Sequence, residues 1–125
     1  MSAISRSSVL CVLAVALVSS AASAECRWGR FHFMFGSDVP AMATADSGKP
    51  CWLSIKTGKT SEFTGFTVSK QPAHGRVTVG KNVWDAWIYT SDRDYHGADS
   101  FIGTITGHDV NFSGTTNVAV SIAVQ

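Results

Sequence analysis

The chain has 125 residues, with ten Lys or Arg against nine Asp or Glu and a formal net charge of +1. That length suits one domain of ordinary size, and the balanced charge leaves no electrostatic footprint for nucleic acid or an anionic membrane surface. There is no charge run, no low-complexity tract and no apolar segment of membrane-spanning length.

The N-terminus reads as a secretory signal. Arg6 is the only charged residue before Glu25, and residues 9–18 are an unbroken apolar run. A run of about ten fits the apolar region of a signal peptide and falls short of the roughly twenty needed to cross a bilayer. Ala22 and Ala24 then stand in the A-x-A relation that signal peptidase requires. Residues 1–24 are therefore expected to be removed, leaving a single domain at 25–125 with no membrane anchor. A lipoprotein signal is disfavoured because charged Glu25 precedes Cys26, where a small residue belongs. Removal takes Arg6 and no acidic residue, so the mature domain is neutral. The expected location is the periplasm or the extracellular medium.

Of the three cysteines, Cys11 leaves with the signal, and Cys26 and Cys51 remain where disulfides persist. With only two left, the pairing is unambiguous. The spacing has nothing of a C-x-x-C redox motif or a zinc knuckle, so the bridge is expected to be structural.

Along the mature chain the periodicity is two nearly everywhere. Phe31, Phe33 and Phe35 alternate with Arg30, His32 and Met34, which predicts a first strand with an aromatic face. Residues 36–49 are rich in Ala, Ser, Asp and Gly, and Pro40 argues against a regular run there. Cys51, Leu53 and Ile55 alternate with Trp52, Ser54 and Lys56, up to a turn at Gly58. A third run covers 63–68, a fourth 76–79, and a fifth 84–90, with polar loops expected at 91–99 and 107–116. Phe101, Ile102 and Ile105 mark the sixth strand. Val118, Val120, Ile122 and Val124 close the chain in strict alternation with Asn117, Ala119, Ser121 and Ala123. About seven short strands with regular turn signals and no helical window predict an all-β, antiparallel sandwich.

Three segments, V68-S-K-Q-P-A-H-G-R-V-T-V79, W87-I-Y-T90 and Y95-H-G-A-D-S-F101, resemble the bacterial Ig-like and cadherin-like repeats. Those repeats carry a Val-x-x-x-Pro-x-x-Gly-x-Val element, then Tyr-Thr-Pro, then aromatic-x-Gly-x-Asp-Ser-Phe. The likeness covers about a third of the chain. Ser91 stands in place of the usual proline, and the cysteine pair is outside the pattern, as in a stand-alone secreted member. The resemblance implies an Ig-like β-sandwich used for adhesion or as a scaffold, with no chemistry. Its motif residues read as structural. Pro72 fixes φ, Gly75 permits positive φ, and the two turn the chain between strands. Tyr95 is expected to form an aromatic corner with its hydroxyl bonded to backbone, Gly97 to relieve the loop, Asp99 to bond backbone amides, and Phe101 to enter the core.

Three kinds of chemistry can be weighed on the residues. Asp92, Asp94 and Asp99 share one loop, as in calcium sites, but Arg93 is interleaved and no Glu closes the set. His32 and Met34 project from one strand face as a half-site for copper, while His74, His96 and His108 sit in separate segments. Neither pattern is complete, so no cofactor or metal is expected. Nucleophilic catalysis has no Gly-x-Ser-x-Gly and no free mature thiol. Trp84 and Trp87 fall on opposite faces of a regular strand, which makes them candidates for an exposed binding surface. The expectation is a non-catalytic, monomeric exported module with an unidentified protein or glycan partner. A copper-handling periplasmic protein and a secreted enzyme inhibitor are the alternatives.

Overall fold

A computed structural model of the protein describes residues 26–29, 33–55, 60–82 and 86–125. The leader at 1–24, Phe31 and His32 of the expected first strand, the turn at Gly58, and Trp84 lie outside the described residues. The described residues form eight strands and no helix: β1 (Arg27–Trp28), β2 (Val39–Ala45), β3 (Cys51–Leu53), β4 (Glu62–Lys70), β5 (Gly75–Val79), β6 (Trp87–Ser91), β7 (Gly97–His108) and β8 (Ser113–Val124). They make a five-stranded sheet in the order β1-β2-β8-β7-β4 and a three-stranded sheet in the order β3-β6-β5, a β-sandwich-like arrangement. All neighbours are antiparallel except β2 and β8, which run parallel from Val39↔Val118 to Ala45↔Val124.

The β7–β8 hairpin is the frame of the larger sheet. Its strands pair over their whole length, from Gly97↔Val124 to His108↔Ser113. Alternation on both strands explains why. Phe101 and Ile105 on β7, with Val118, Val120, Ile122 and Val124 on β8, face inward and are buried, while Ala98, Ser100, Asn117, Ala119, Ser121 and Ala123 face water. The expected loops at 91–99 and 107–116 are correspondingly shorter. Ser91 belongs to β6, β7 starts at Gly97, and only residues 109–112 link β7 to β8.

Two expectations are corrected near the N-terminus. Phe33 and Phe35 belong to no strand; Phe35 opens a turn with Gly36 (φ 84°), and its ring packs edge-on to Phe33 at 4.9 Å and against Phe63 at 5.3 Å. The strand lies instead in 36–49, as β2. There Ala41, Ala43 and Ala45 are buried in alternation with exposed Pro40 and Met42 and half-buried Thr44. Pro40 is tolerated because β1 pairs only with Ala43 and Thr44, so the strand is open on one side at Pro40. The short β1 also raises the count from the seven expected strands to eight.

The two sheets meet over one core. Leu53, Ile55, Val77, Trp87 and Tyr89 come from the smaller sheet and its flanks, against the inward rows of β2, β7 and β8. Trp87 is fully buried and lies against the β7 backbone at Gly103. A Cβ at Gly103 would overlap ring atoms Cζ2 and Cε2 of Trp87, so only glycine lets the indole sit that close. Cys26 and Cys51 form a disulfide over a separation of 25 residues, with Cα atoms 5.3 Å apart. It ties the start of β1, at the edge of the larger sheet, to β3, at the edge of the smaller one.

Gly103→Ala should lower the unfolding free energy by roughly 3 kcal/mol, the upper end of overpacking costs. In urea titrations the double variant Gly103→Ala/Trp87→Phe should lose less than the two single variants combined, because the ring atoms that meet the new methyl are gone. Strict additivity would mean that the two residues do not touch. Separately, replacing Cys26 and Cys51 by serine should cost about 3.5 kcal/mol in the chain-entropy account of a loop of this length. A change below about 1 kcal/mol would show that the bridge constrains little.

Candidate functional site

The residues with chemical potential divide into a buried polar cluster and two exposed faces. The cluster lies where the β4–β5 connection meets the start of β7. Tyr89 on β6 is fully buried, and its hydroxyl donates to Oδ2 of Asp99 at 2.6 Å. Oδ1 of Asp99 accepts from the backbone N–H of Ser100 at 3.0 Å and of His74 at 3.4 Å. Next to it the ring of Tyr95 stacks on His74, with centroids 4.0 Å apart, and the Tyr95 hydroxyl donates to the carbonyl of Ala98 at 2.5 Å. Burial, then the hydrogen bond to Asp99 and the charge of that carboxylate, push the Tyr89 hydroxyl well above the ordinary tyrosine range. Tyr89 therefore stays protonated and acts as a donor. This is a fastening.

The motif residues all gather here. Pro72 is buried in the connection between β4 and β5. Gly97 takes φ 140° beneath the Tyr95 hydroxyl, and Phe101 is buried two residues beyond Asp99. Gly75 is a correction. It is not among the positive-φ glycines, and what requires it is space: a Cβ there would lie 2.6 Å from the Thr90 carbonyl oxygen and 2.9 Å from the Ser91 Cα. The close pairing of β5 on β6 needs glycine at that point, whatever its φ.

The candidate metal ligands are not assembled. Asp99 turns into the interior, whereas Asp92 and Asp94 are exposed in a turn, with Asp94 at φ 65°. His108 pairs with Glu62 at 3.2 Å, His74 is stacked on Tyr95, and His96 is exposed. Met34 is exposed, with the Ser37 hydroxyl 3.8 Å from its sulfur, and its expected partner His32 lies outside the described residues. Among the described residues no group of three or more His, Cys, Asp or Glu could hold a metal ion.

Trp87 is the second correction. It is wholly buried, with Nε1–H donating to the carbonyl of Thr67 at 3.0 Å, so it forms no binding surface. Among the described residues the exposed indole is that of Trp52, 54% accessible on β3. Sequence reasoning did not single out Trp52; the signal that could have found it is its alternation with Cys51, Leu53 and Ile55, all three buried. Strand register puts Trp52, Ile88 and Thr78 in one row across the outer face of the smaller sheet, with Thr90 and Arg76 in the next. Beside Ile88 a groove of about 470 Å³ is lined by Arg76, Thr78, Thr90 and Asp92.

The larger sheet's outer face also carries a trough, of about 820 Å³, floored by Ala98, Ser100, Ser121 and Ala123 and flanked by Met42 and His74. At the opposite end of its hairpin, Val110 and Phe112 are exposed on a tip held by Asp109, whose Oδ1 accepts from the N–H groups of Asn111 and Phe112.

No family model matches the sequence, and no curated protein is similar to it. A solved structure described as "Crystal structure of Sialyltransferase from Photobacterium damsela" overlaps 70% of this chain at 10% identity and a TM-score of 0.38. The chain spans 18% of that structure's length. An overlap at this level carries no argument about fold or function.

Burial of the Tyr89 hydroxyl, together with its bond to Asp99, makes stability depend on alkaline pH. The folded-state hydroxyl has a raised pKa, so its contribution is complete below the unfolded value of about 10 and is lost as pH rises above it. Between pH 8 and 11 the unfolding free energy should therefore fall more in the wild type than in Tyr89→Phe. Equal slopes in the two proteins would mean that Tyr89 ionises as freely folded as unfolded.

Proposed function

We propose that the protein is a non-catalytic, exported Ig-like module that binds a partner through an outer sheet face. The observation that carries this reading is the exposed Trp52 row beside a polar groove. Strand order supports the Ig-like part. Immunoglobulin constant-type domains put their second, fifth and fourth strands in one sheet and their third, sixth and seventh in the other. Counting from β2, the same sets here are β3-β6-β5 and β4-β7-β8, with the first strand moved to the second sheet, parallel to the last. Tyr95 lies between β6 and β7, where such domains place their tyrosine corner, but its hydroxyl bonds the Ala98 carbonyl three residues downstream and not backbone upstream, so only its position supports the comparison. Export is supported by the apolar run and A-x-A site before Glu25, and by the disulfide, which suits an oxidising compartment.

A non-catalytic role is supported by how the reactive residues are used. Asp99, Tyr89 and the cysteine pair are all committed to holding strands together. Immobilised mature protein (residues 25–125), exposed to bacterial cell-envelope extract and culture medium, should retain a component whose recovery drops at least about tenfold in Trp52→Ala with an unchanged unfolding midpoint. Turnover of a substrate by the purified chain would sink the reading. So would retention that is indifferent to Trp52.

A further inference from the structure

We propose that the outer face of the β3–β6–β5 sheet is a saccharide platform, with Trp52 as the stacking surface and the Arg76–Asp92 groove as the polar rim. This rests on the binding-module reading and names its ligand class. A pyranose ring has an apolar C–H face and a rim of hydroxyl groups, each both donor and acceptor. A site for it needs a flat aromatic surface next to mixed hydrogen-bonding groups on a rigid support. The face supplies each part. Trp52 shows more than half of its surface to solvent and projects from a strand held between its register with β6 and the Cys26–Cys51 bridge. Ile88, half-buried, continues the apolar surface to Thr78.

Around the groove, the Thr78 and Thr90 hydroxyls both donate and accept, Arg76 only donates, and Asp92 only accepts. Among the described residues no ion pair joins Arg76 to Asp92, so both groups are available to a ligand. Their charges offset one another, which fits a neutral polyol and gives no footprint for a phosphate backbone.

Size separates this reading from a protein partner. Three strands about 4.8 Å apart, with at most five residues at about 3.3 Å each, present a face of roughly 240 Å². A specific protein interface buries about 800 Å² on each side, with a mainly apolar centre. The outer face of the smaller sheet is too small for that and exposes one large apolar residue, Trp52; Val79, also exposed, stands in the row of buried Trp87. The row from Trp52 to Thr78 crosses two strand spacings, roughly 10 Å, enough for two linked pyranose rings. The groove of about 470 Å³ lies within the usual size range of small-ligand sites.

The test is calorimetric titration of the mature chain with cellohexaose, maltohexaose, chitohexaose and mannohexaose, followed by backbone-amide shift mapping with any that binds. At least one should bind saturably below about 1 mM. Trp52→Ala should weaken it about tenfold or more, Trp52→Phe should restore part of the loss, and Arg76→Ala should weaken it less than Trp52→Ala. Shifts should centre on Trp52, Thr78, Ile88 and Thr90. Failure of all four sugars to bind overturns the inference, as does unchanged affinity in a folded Trp52→Ala protein or a shift map centred on the Ala98–Ala123 trough or on Phe112. Trp52-dependent retention of an envelope component without sugar binding would leave the module reading standing and remove the saccharide. Turnover of any of these sugars would remove the module reading itself.

Discussion

The indole of Trp87 does for this fold what no single strand pairing does. It belongs to the smaller sheet, lies on the backbone of β7 at Gly103 and donates its N–H to Thr67 on β4. Three strands in two sheets are therefore fixed by one side chain. The ring also seeds an aromatic chain, edge-on to Phe66 at 6.4 Å and to Phe101 at 5.9 Å, with Phe66 stacked on Phe63 and Phe63 against Phe35. A β-sandwich of this size buries a limited share of its surface, so a large side chain that packs on both sheets weighs heavily in its stability. The cost is specificity of shape. Gly103 must carry no side chain, and β6 must keep the register that brings Trp87 opposite it.

A second constraint follows from having two open sheets, whose four edges could each recruit a strand from another chain. The edges are closed one by one, by different means. On β5 the Gln71 side chain imitates a neighbouring strand, with Nε2 donating to the Val77 carbonyl at 3.0 Å and Oε1 accepting from the Val77 N–H at 2.9 Å. β4 has register shifts between Phe63 and Gly65 and between Val68 and Lys70, and its Thr67 carbonyl is taken by Trp87. β3 is three residues long and bound to Cys26, and β1 has only two residues. Pro40 removes a donor from β2 where β1 does not cover it. What such a sandwich offers to a partner is its faces and loop tips.

How much of this was legible in the sequence depended on how far apart the interacting residues lie. The β7 and β8 alternation, the cysteine pairing and the inward turn of Phe101 rest on local pattern, and they read directly. β2 did not, because its inward residues are alanines. Ala41, Ala43 and Ala45 give little apolar contrast against Pro40, Met42 and Thr44, and the strand forms because β8 offers it a parallel partner. The Phe33–Phe35 alternation misled in the opposite sense. Rings two apart can meet without a strand between them, and here Phe35 fills the core from a turn with half-buried Phe33 edge-on to it. Gly75 shows the same limit, since sequence suggested backbone freedom and the actual demand is a close approach to Thr90 on another strand.

The tryptophans make the point for the candidate site. Nothing near Trp87 in the sequence says that it faces inward; the reason is Gly103, sixteen positions later, and a carbonyl on β4. Trp52 was missed although its neighbours carried the signal: Cys51 and Leu53 flank it and both turn inward, which leaves the indole facing out. A half-exposed indole on a short strand adds little to the core. Strand pairing and the disulfide hold β3 in place through Cys51 and Leu53 whether or not position 52 is aromatic. The cross-strand pair of Trp52 with Ile88 contributes up to about 1 kcal/mol to the β3–β6 pairing and leaves more than half of the indole in solvent. What remains exposed of it, in one row with Ile88 and Thr78, is the surface on which the proposed ligand would rest.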